Sequence, residues 1–138
     1  MNFARRVVLD TGVLVSAAIC PRSVPALALE KALLQFEVCV SDDTLQELRT
    51  VLLRSKFDRY LPIVQRQAFI TGFCDHVELI EVTQVVADCP DPKDNIFLAL
   101  ADTALAEMII SSDPHLTRMH PWRGIPIMPP SAFLVGIR

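Results

Sequence analysis

Glycine is scarce, four residues in 138, and no run of about 18 consecutive apolar residues occurs. The first shortage argues against a turn-rich all-β protein, the second against a membrane-spanning helix. The opening residues lack the n-region, h-region and cleavage site of a secretory leader, so a soluble, cytoplasmic protein with no membrane association is expected. Cysteine is sparse and unpatterned. Cys20, Cys39, Cys74 and Cys89 form neither a CxxC pair nor a Cys/His group at zinc spacing. That excludes zinc fingers and ribbons and leaves free thiols, all but Cys89 among apolar neighbours, in a reducing compartment. Positive charge is in deficit too: 13 Lys and Arg against 16 Asp and Glu, for a net charge of -3. A protein that grips nucleic acid by bulk positive charge is disfavoured. A carboxylate cluster that holds cations is compatible, because it makes the formal count negative and the bound ion reverses the local sign. No internal repeat, linker or low-complexity tract is present.

What is present is apolar and alternating. Apolar residues make up 51% of the chain and charged ones 21%, enough for a sizeable core, and a single domain over residues 1–138 is expected. Residues 6–10, RVVLD, read as a buried strand. Residues 12–19 either continue it or, given Ser16, Ala17 and Ala18, turn into a short helix before Pro21. Residues 25–36 read as a helix opened by proline, and 37–41 as a strand. Ser41 or Asp42 then caps a helix running to Phe57, with Leu45, Leu48, Val51 and Leu52 as its core stripe. Further on come a helix over 62–75, an edge strand or extended connection over 76–82, and an acidic loop over 87–95. An Ala/Leu-rich helix over 94–107 leads to a buried strand at 108–111. One helical turn at 115–119, a strand at 124–130 and a terminal helix over 130–137 complete the chain. Such alternation implies a parallel sheet of four to five strands with helices on both faces, a three-layer α/β/α fold.

Asp10-Thr11-Gly12 matches the aspartic-protease triplet, but the context rejects it. Such an enzyme is mostly β and rich in glycine, and no hairpin signal follows Gly12. Sites on open parallel sheets form instead beyond the carboxyl ends of the strands. Asp10 ends the first strand, Asp113 follows the fourth, Asp94 opens the helix before it, and Glu47 lies in the first turns of the helix after the second. All four fall on one edge. Carboxylates gathered there repel one another unless cations lie between them. Oxygen-only ligation suits Mg2+ or Mn2+, and two such ions about 3.5–4 Å apart activate a water and stabilise the leaving oxygen of a phosphodiester. The reaction class is hydrolytic phosphoryl transfer. A receiver domain also gathers acids around Mg2+, but the phosphoacceptor Asp of its third strand and the Lys of its fifth are missing.

Five blocks in order resemble the PIN-domain family, and within it the toxins of prokaryotic type II toxin–antitoxin systems. VVLDTGVLVSAAI (7–19) is similar to that family's opening, SDDTLQELRTVLLRSKF (41–57) to its second block with Glu47 in the acidic position, and CPDPKDNIFLALA (89–101) to its Asp-Pro-Lys-Asp block with Asp94 third. IISSDPHL (109–116) resembles its Thr-Gly-Asp block with Asp113 fourth, and IMPPSAFL (127–134) its ending. The resemblance implies a PIN-like fold and an Mg2+- or Mn2+-dependent ribonuclease that hydrolyses RNA with Asp10, Glu47, Asp94 and Asp113 as catalytic metal ligands. It also implies a small cognate antitoxin and a homodimer. Two departures stand out: Gly12 replaces the usual Asn, and Ser111-Ser112 the usual Thr-Gly. The first keeps open a second reading, a weakened PIN module that only binds RNA or protein.

Each residue also has a plainer role. Asp10 and Asp91 suit helix caps, Asp94 the first-turn dipole, Asp113 a turn before Pro114, and Glu47 a solvated helix face. Asp91 and Ser111 are further candidates for the site. Lys93 suits a substrate phosphate or bulk solvent. Arg49, Arg54 and Lys56, with Arg59 and Arg66, form either a wall along an RNA backbone or a solvated face. His115, His120 and Trp122 either contact a base or pack beneath a loop.

Overall fold

In the computed structural model, which describes residues 5–136, alternation along a four-residue strand sorts the core. Strand β1 (Arg6–Leu9) sends Val7 and Leu9 to one face and Val8 to the other, and all three are buried. Strand β2 (Glu37–Val40) repeats this with Val38 and Val40 against Cys39. Strand β4 (Met108–Ile110) does so with Met108 and Ile110 against Ile109. A sheet buried on both faces needs helical crossovers and therefore parallel strands. With the short β3 (Glu78–Leu79) and β5 (Ile127–Met128), the sheet has five strands in the order β3-β2-β1-β4-β5, every pairing parallel.

Helices α1 (Thr11–Ile19), α2 (Val24–Gln35), α3 (Asp42–Leu52), α4 (Ile63–Cys74) and α7 (Pro130–Gly136) cover the Val7 face. Helix α5 (Asn95–Ala104) and the one-turn α6 (Pro114–Thr117) cover the Val8 face, with Trp122 and Ile125 beside them. The expected α/β/α layering is therefore present. Ile137, the last residue of the expected terminal helix, lies outside the described residues. The strand-or-helix ambiguity after Asp10 resolves as helix because Asp10 itself caps it: Val13 N–H donates to its Oδ1 at 2.9 Å. Ser23 caps α2, which places Pro25 inside its first turn. Helices α1 and α2 meet at 109°, and no single helix among the described residues is long and apolar enough to cross a membrane. All four cysteines are free, but Cys20 is exposed and Cys89 buried, the reverse of what their sequence neighbours suggest.

Two expectations, one about the end of α3 and one about Arg66 on α4, need correction, for one physical reason. Ser41 caps α3 in a reciprocal box with Thr44, but the helix ends at Leu52 rather than Phe57. Arg66, read as a surface charge, is fully buried at 0% exposure and ends it. Its Nη1 donates to the carbonyls of Leu52 at 2.9 Å and Arg54 at 3.2 Å, and its Nε to Leu61 at 2.8 Å. Nη2 pairs with Asp58. One guanidinium thus takes up the last carbonyl of α3 and two carbonyls of the connection to α4 that would otherwise want water. Arg66→Ala is expected to cost about 3 kcal/mol, because buried acceptors lose their donors. Denaturant midpoints check this, and Arg66→Lys should recover under half of the loss, since an ammonium cannot fork across several carbonyls.

Candidate metal centre

A cleft of about 410 Å³ opens beyond the carboxyl ends of β1 and β4, and Asp10, Glu47, Asp94 and Asp113 all line it. The parallel topology brings them together, since each acid stands just after a strand or in the first turns of a helix. Asp10 is 4% exposed. Besides capping α1, it accepts a short hydrogen bond on Oδ2 from the Ser111 hydroxyl. Ser111 Oγ in turn accepts the Asp113 N–H at 3.0 Å, so one buried serine ties the first acid to the fourth. Burial pushes the Asp10 carboxyl above its ordinary range, and the bonds from Ser111 and Val13 hold part of that rise back.

The acidic loop is held from both ends. Cys89 N–H donates to Asn95 Oδ1 at 2.8 Å, and Asp91 caps a 3-10 turn over Pro92–Asp94. That turn points Asp94 inward at 6% exposure, where its Oδ2 has no hydrogen-bond partner. Burial and the adjacent Asp113 push Asp94 up to about 7. Asp113 is half-buried and caps α6 by accepting the His115 N–H on Oδ1 at 2.9 Å. Burial alone would raise it too, but Asp94, the His115 amide and the nearby His115 and Lys93 bring it below the usual carboxylate range. The two carboxyls are thus pushed in opposite directions, Asp94 toward its neutral form and Asp113 toward its charged one. Glu47 stands across the cleft on α3, half-exposed.

Of the other candidates, Arg54 and Lys93 line the cleft, whereas Arg49 and Lys56 are exposed outside its lining. Trp122 and His120 take their packing roles. The Trp122 Nε1–H donates to Asp88 at 2.9 Å, and His120 Nδ1 accepts the Ile127 N–H at 2.9 Å. His115 separates from them and stands against the acids, with Nδ1 3.4 Å from Asp113 Oδ1 and 3.7 Å from Asp91 Oδ2. Its place two residues after Asp113, at a helix start, was the available sequence signal.

The donor set fits a divalent cation. A buried, unpartnered carboxylate oxygen beside a second carboxylate is costly unless something positive meets it, and all-oxygen donors suit Mg2+ or Mn2+.

The sequence matches the model of the PIN domain over residues 6–115. No curated protein matches it. Among solved structures, it is similar to VapBC2 from Rickettsia felis bound to a DNA fragment from its promoter, with a TM-score of 0.60 and 14% identity over 88% of this chain and 96% of that one. It is also similar to PAE2754 from Pyrobaculum aerophilum, with a TM-score of 0.67 and 11% identity over 94% and 88%. DNA-bound VapBC from Salmonella typhimurium gives a TM-score of 0.61 and 16% identity over 89% and 96%.

Proposed function

The chain belongs to the PIN-domain family, and from that premise we propose that it is a divalent-metal-dependent endoribonuclease, the toxin of a toxin–antitoxin pair. The observation that carries the reading is the convergence of Asp10, Glu47, Asp94 and Asp113 on one cleft, with an unpartnered Asp94 oxygen inside it. When bound there, Mg2+ or Mn2+ polarises a phosphate oxygen and makes water a competent nucleophile at neutral pH. The chain's own residues do the rest. Asp10, held through both carboxylate oxygens by Val13 and Ser111, and Asp113, held at Oδ1 by the His115 N–H, present oriented oxygens. Asp94 would hold the ion as a carboxylate, its proton passing to solvent. Arg54 and Lys93 supply the positive charge at the cleft that an RNA backbone needs.

The partner reading rests on the similar structures that are VapBC complexes. A small antitoxin that covers the cleft, a homodimer and a cytoplasmic location belong to it. Exposed Leu27 and Leu34 on α2 and Ile63 and Val64 on α4 offer apolar area for such contacts.

The rival reading, a binding module weakened by Gly12, is tested together with the first. A Cβ added at Gly12 meets only Asp10 Oδ1, at 3.7 Å, an ordinary contact, so a side chain can start there without displacing the backbone. The partner-free protein is expected to cleave single-stranded RNA with Mn2+ and stop on chelation. Gly12→Asn should raise the rate by about two- to tenfold, because its amide reaches the Asp10 carboxylate. A folded wild type that binds RNA but cuts none, alongside a Gly12→Asn variant that cuts, would favour the binding module.

A further inference from the structure

The phosphodiester chemistry leaves two donors in the acidic cluster without a task, Asp91 and His115. One ligand atom from each of Asp91, Asp94, Asp113 and His115 lies within 4.8 Å of all the others. Donors around one octahedral ion with bonds of about 2.1–2.2 Å stand about 3 Å apart when adjacent and about 4.4 Å when opposite, so an ion would draw the widest pairs of the group together. His115 Nδ1 sits 3.4 Å and 3.7 Å from the two nearest carboxylate oxygens. Both separations exceed a hydrogen bond and match two ligands sharing an ion. The second, independent observation is Asp94, 6% exposed, with its Oδ2 unpartnered. Its companions are held by two anchors: Asp91 caps the 3-10 turn by accepting the Lys93 N–H, and Asp113 caps α6 by accepting the His115 N–H, which also places the His115 backbone beside it.

We propose that Asp91, Asp94, Asp113 and His115 form a mixed nitrogen–oxygen centre in which the His115 imidazole ligates a divalent transition ion directly, favouring Mn2+ over Mg2+. It rests on the metal-dependent nuclease reading, since Asp94 and Asp113 belong to both. The chemistry gives the direction: imidazole is a good ligand for first-row transition ions, whereas Mg2+ keeps to oxygen and water. The centre therefore selects its ion through a residue outside the four-acid set, and the preference is separable from the acids that meet substrate.

Metal binding without RNA tests this. Mn2+ and Mg2+ are titrated calorimetrically into wild type, His115→Ala and Asp10→Asn, and bound Mn2+ is observed by pulsed EPR. Wild-type Mn2+ is expected to show 14N coupling from a coordinated imidazole. In His115→Ala the coupling should vanish and Mn2+ affinity fall about tenfold or more, while Mg2+ affinity moves less than about twofold. His115 is exposed, and an unchanged circular dichroism spectrum confirms that the variant folds. Mn2+ bound without 14N coupling, and unaffected by His115→Ala, overturns the imidazole ligand and leaves the nuclease reading intact. Absence of any divalent binding to the folded wild type, at millimolar ion, overturns both. Retained 14N coupling in wild type that His115→Ala abolishes supports the imidazole ligand, and loss of binding in Asp10→Asn supports the four-acid site on which it rests.

Discussion

Asp10→Asn is expected to lower RNA cleavage by about a thousandfold or more while leaving the melting temperature within about 2 °C of wild type. The two halves follow from the two oxygens of one side chain. Oδ1 is the α1 cap, accepting Val13 N–H, and Asn caps a helix as well as Asp does. Oδ2 faces Ser111, and the amide nitrogen that replaces it can donate to the same hydroxyl oxygen. The variant therefore keeps the α1 cap and a bond to Ser111, now reversed in direction, and loses a carboxylate charge that burial already disfavours. What it removes is the charge that would meet the cation. A loss of about 4 kcal/mol of transition-state stabilisation corresponds to about three decades in rate. Asp10→Ala, by contrast, adds a capping loss of about 1 kcal/mol and confuses chemistry with stability. Ser111→Ala should lie between, about tenfold down, since it loosens Asp10 and Asp113 without removing either. RNA cleavage at saturating Mn2+, beside thermal melts of the same preparations, reads both halves. Retention of more than about a tenth of the activity by Asp10→Asn sinks the four-acid site.

The cleft was legible because its members announce themselves at strand ends and helix starts. Asp10 follows an unbroken β-branched run, and Asp94 sits between a proline-rich turn and an Ala/Leu helix. Once the sheet is parallel, those positions share an edge. Arg66 was not legible. Its carbonyl partners lie 5, 12 and 14 residues earlier in the chain, and backbone oxygens carry no sequence signature, so a charged residue between polar neighbours reads as surface. The early end of α3 was hidden for the same reason, since the helix stops where Arg66 takes its carbonyls. His115 was misplaced by grouping it with its neighbours along the chain. Trp122 turns inward to Asp88 and His120 receives an edge amide, while the one-turn helix α6 carries His115 back over Asp113. Local periodicity is silent on a turn that short.

In chelator, stability is expected to fall as pH rises from about 4 to about 7, and a divalent ion should restore it most strongly above pH 7. Asp94 sets the sign. Burial and the adjacent Asp113 push its carboxyl up to about 7 in the folded state, against about 3.8 for a free aspartate, so between those values the folded chain holds a proton that the unfolded chain has released. Unfolding then releases a proton, and each pH unit in that window costs stability until the folded carboxyl ionises. At about 1.4 kcal/mol per unit the window is worth at most about 4 kcal/mol. Asp10, also raised by burial, works in the same direction. Asp113 works in the opposite direction, because its pKa is lowered on folding, but its window lies below about 4, outside the fall that Asp94 sets. A net change of about 2–3 kcal/mol moves the melting temperature of a chain this size by about 6–12 °C. Above pH 7 the carboxylates are ionised and crowded, and an ion bound only to the folded state adds stability by mass action. Below pH 5 it must displace the proton first. Melts in EDTA and in millimolar Mn2+, taken between pH 4.5 and 8.5, should therefore diverge as pH rises. Asp94→Asn should flatten the EDTA curve and abolish most of the divergence. If instead the EDTA curve is flat or rises toward neutral pH in the wild type, Asp94 is not pushed toward its neutral form, and the cleft is not a set of crowded acids awaiting a cation.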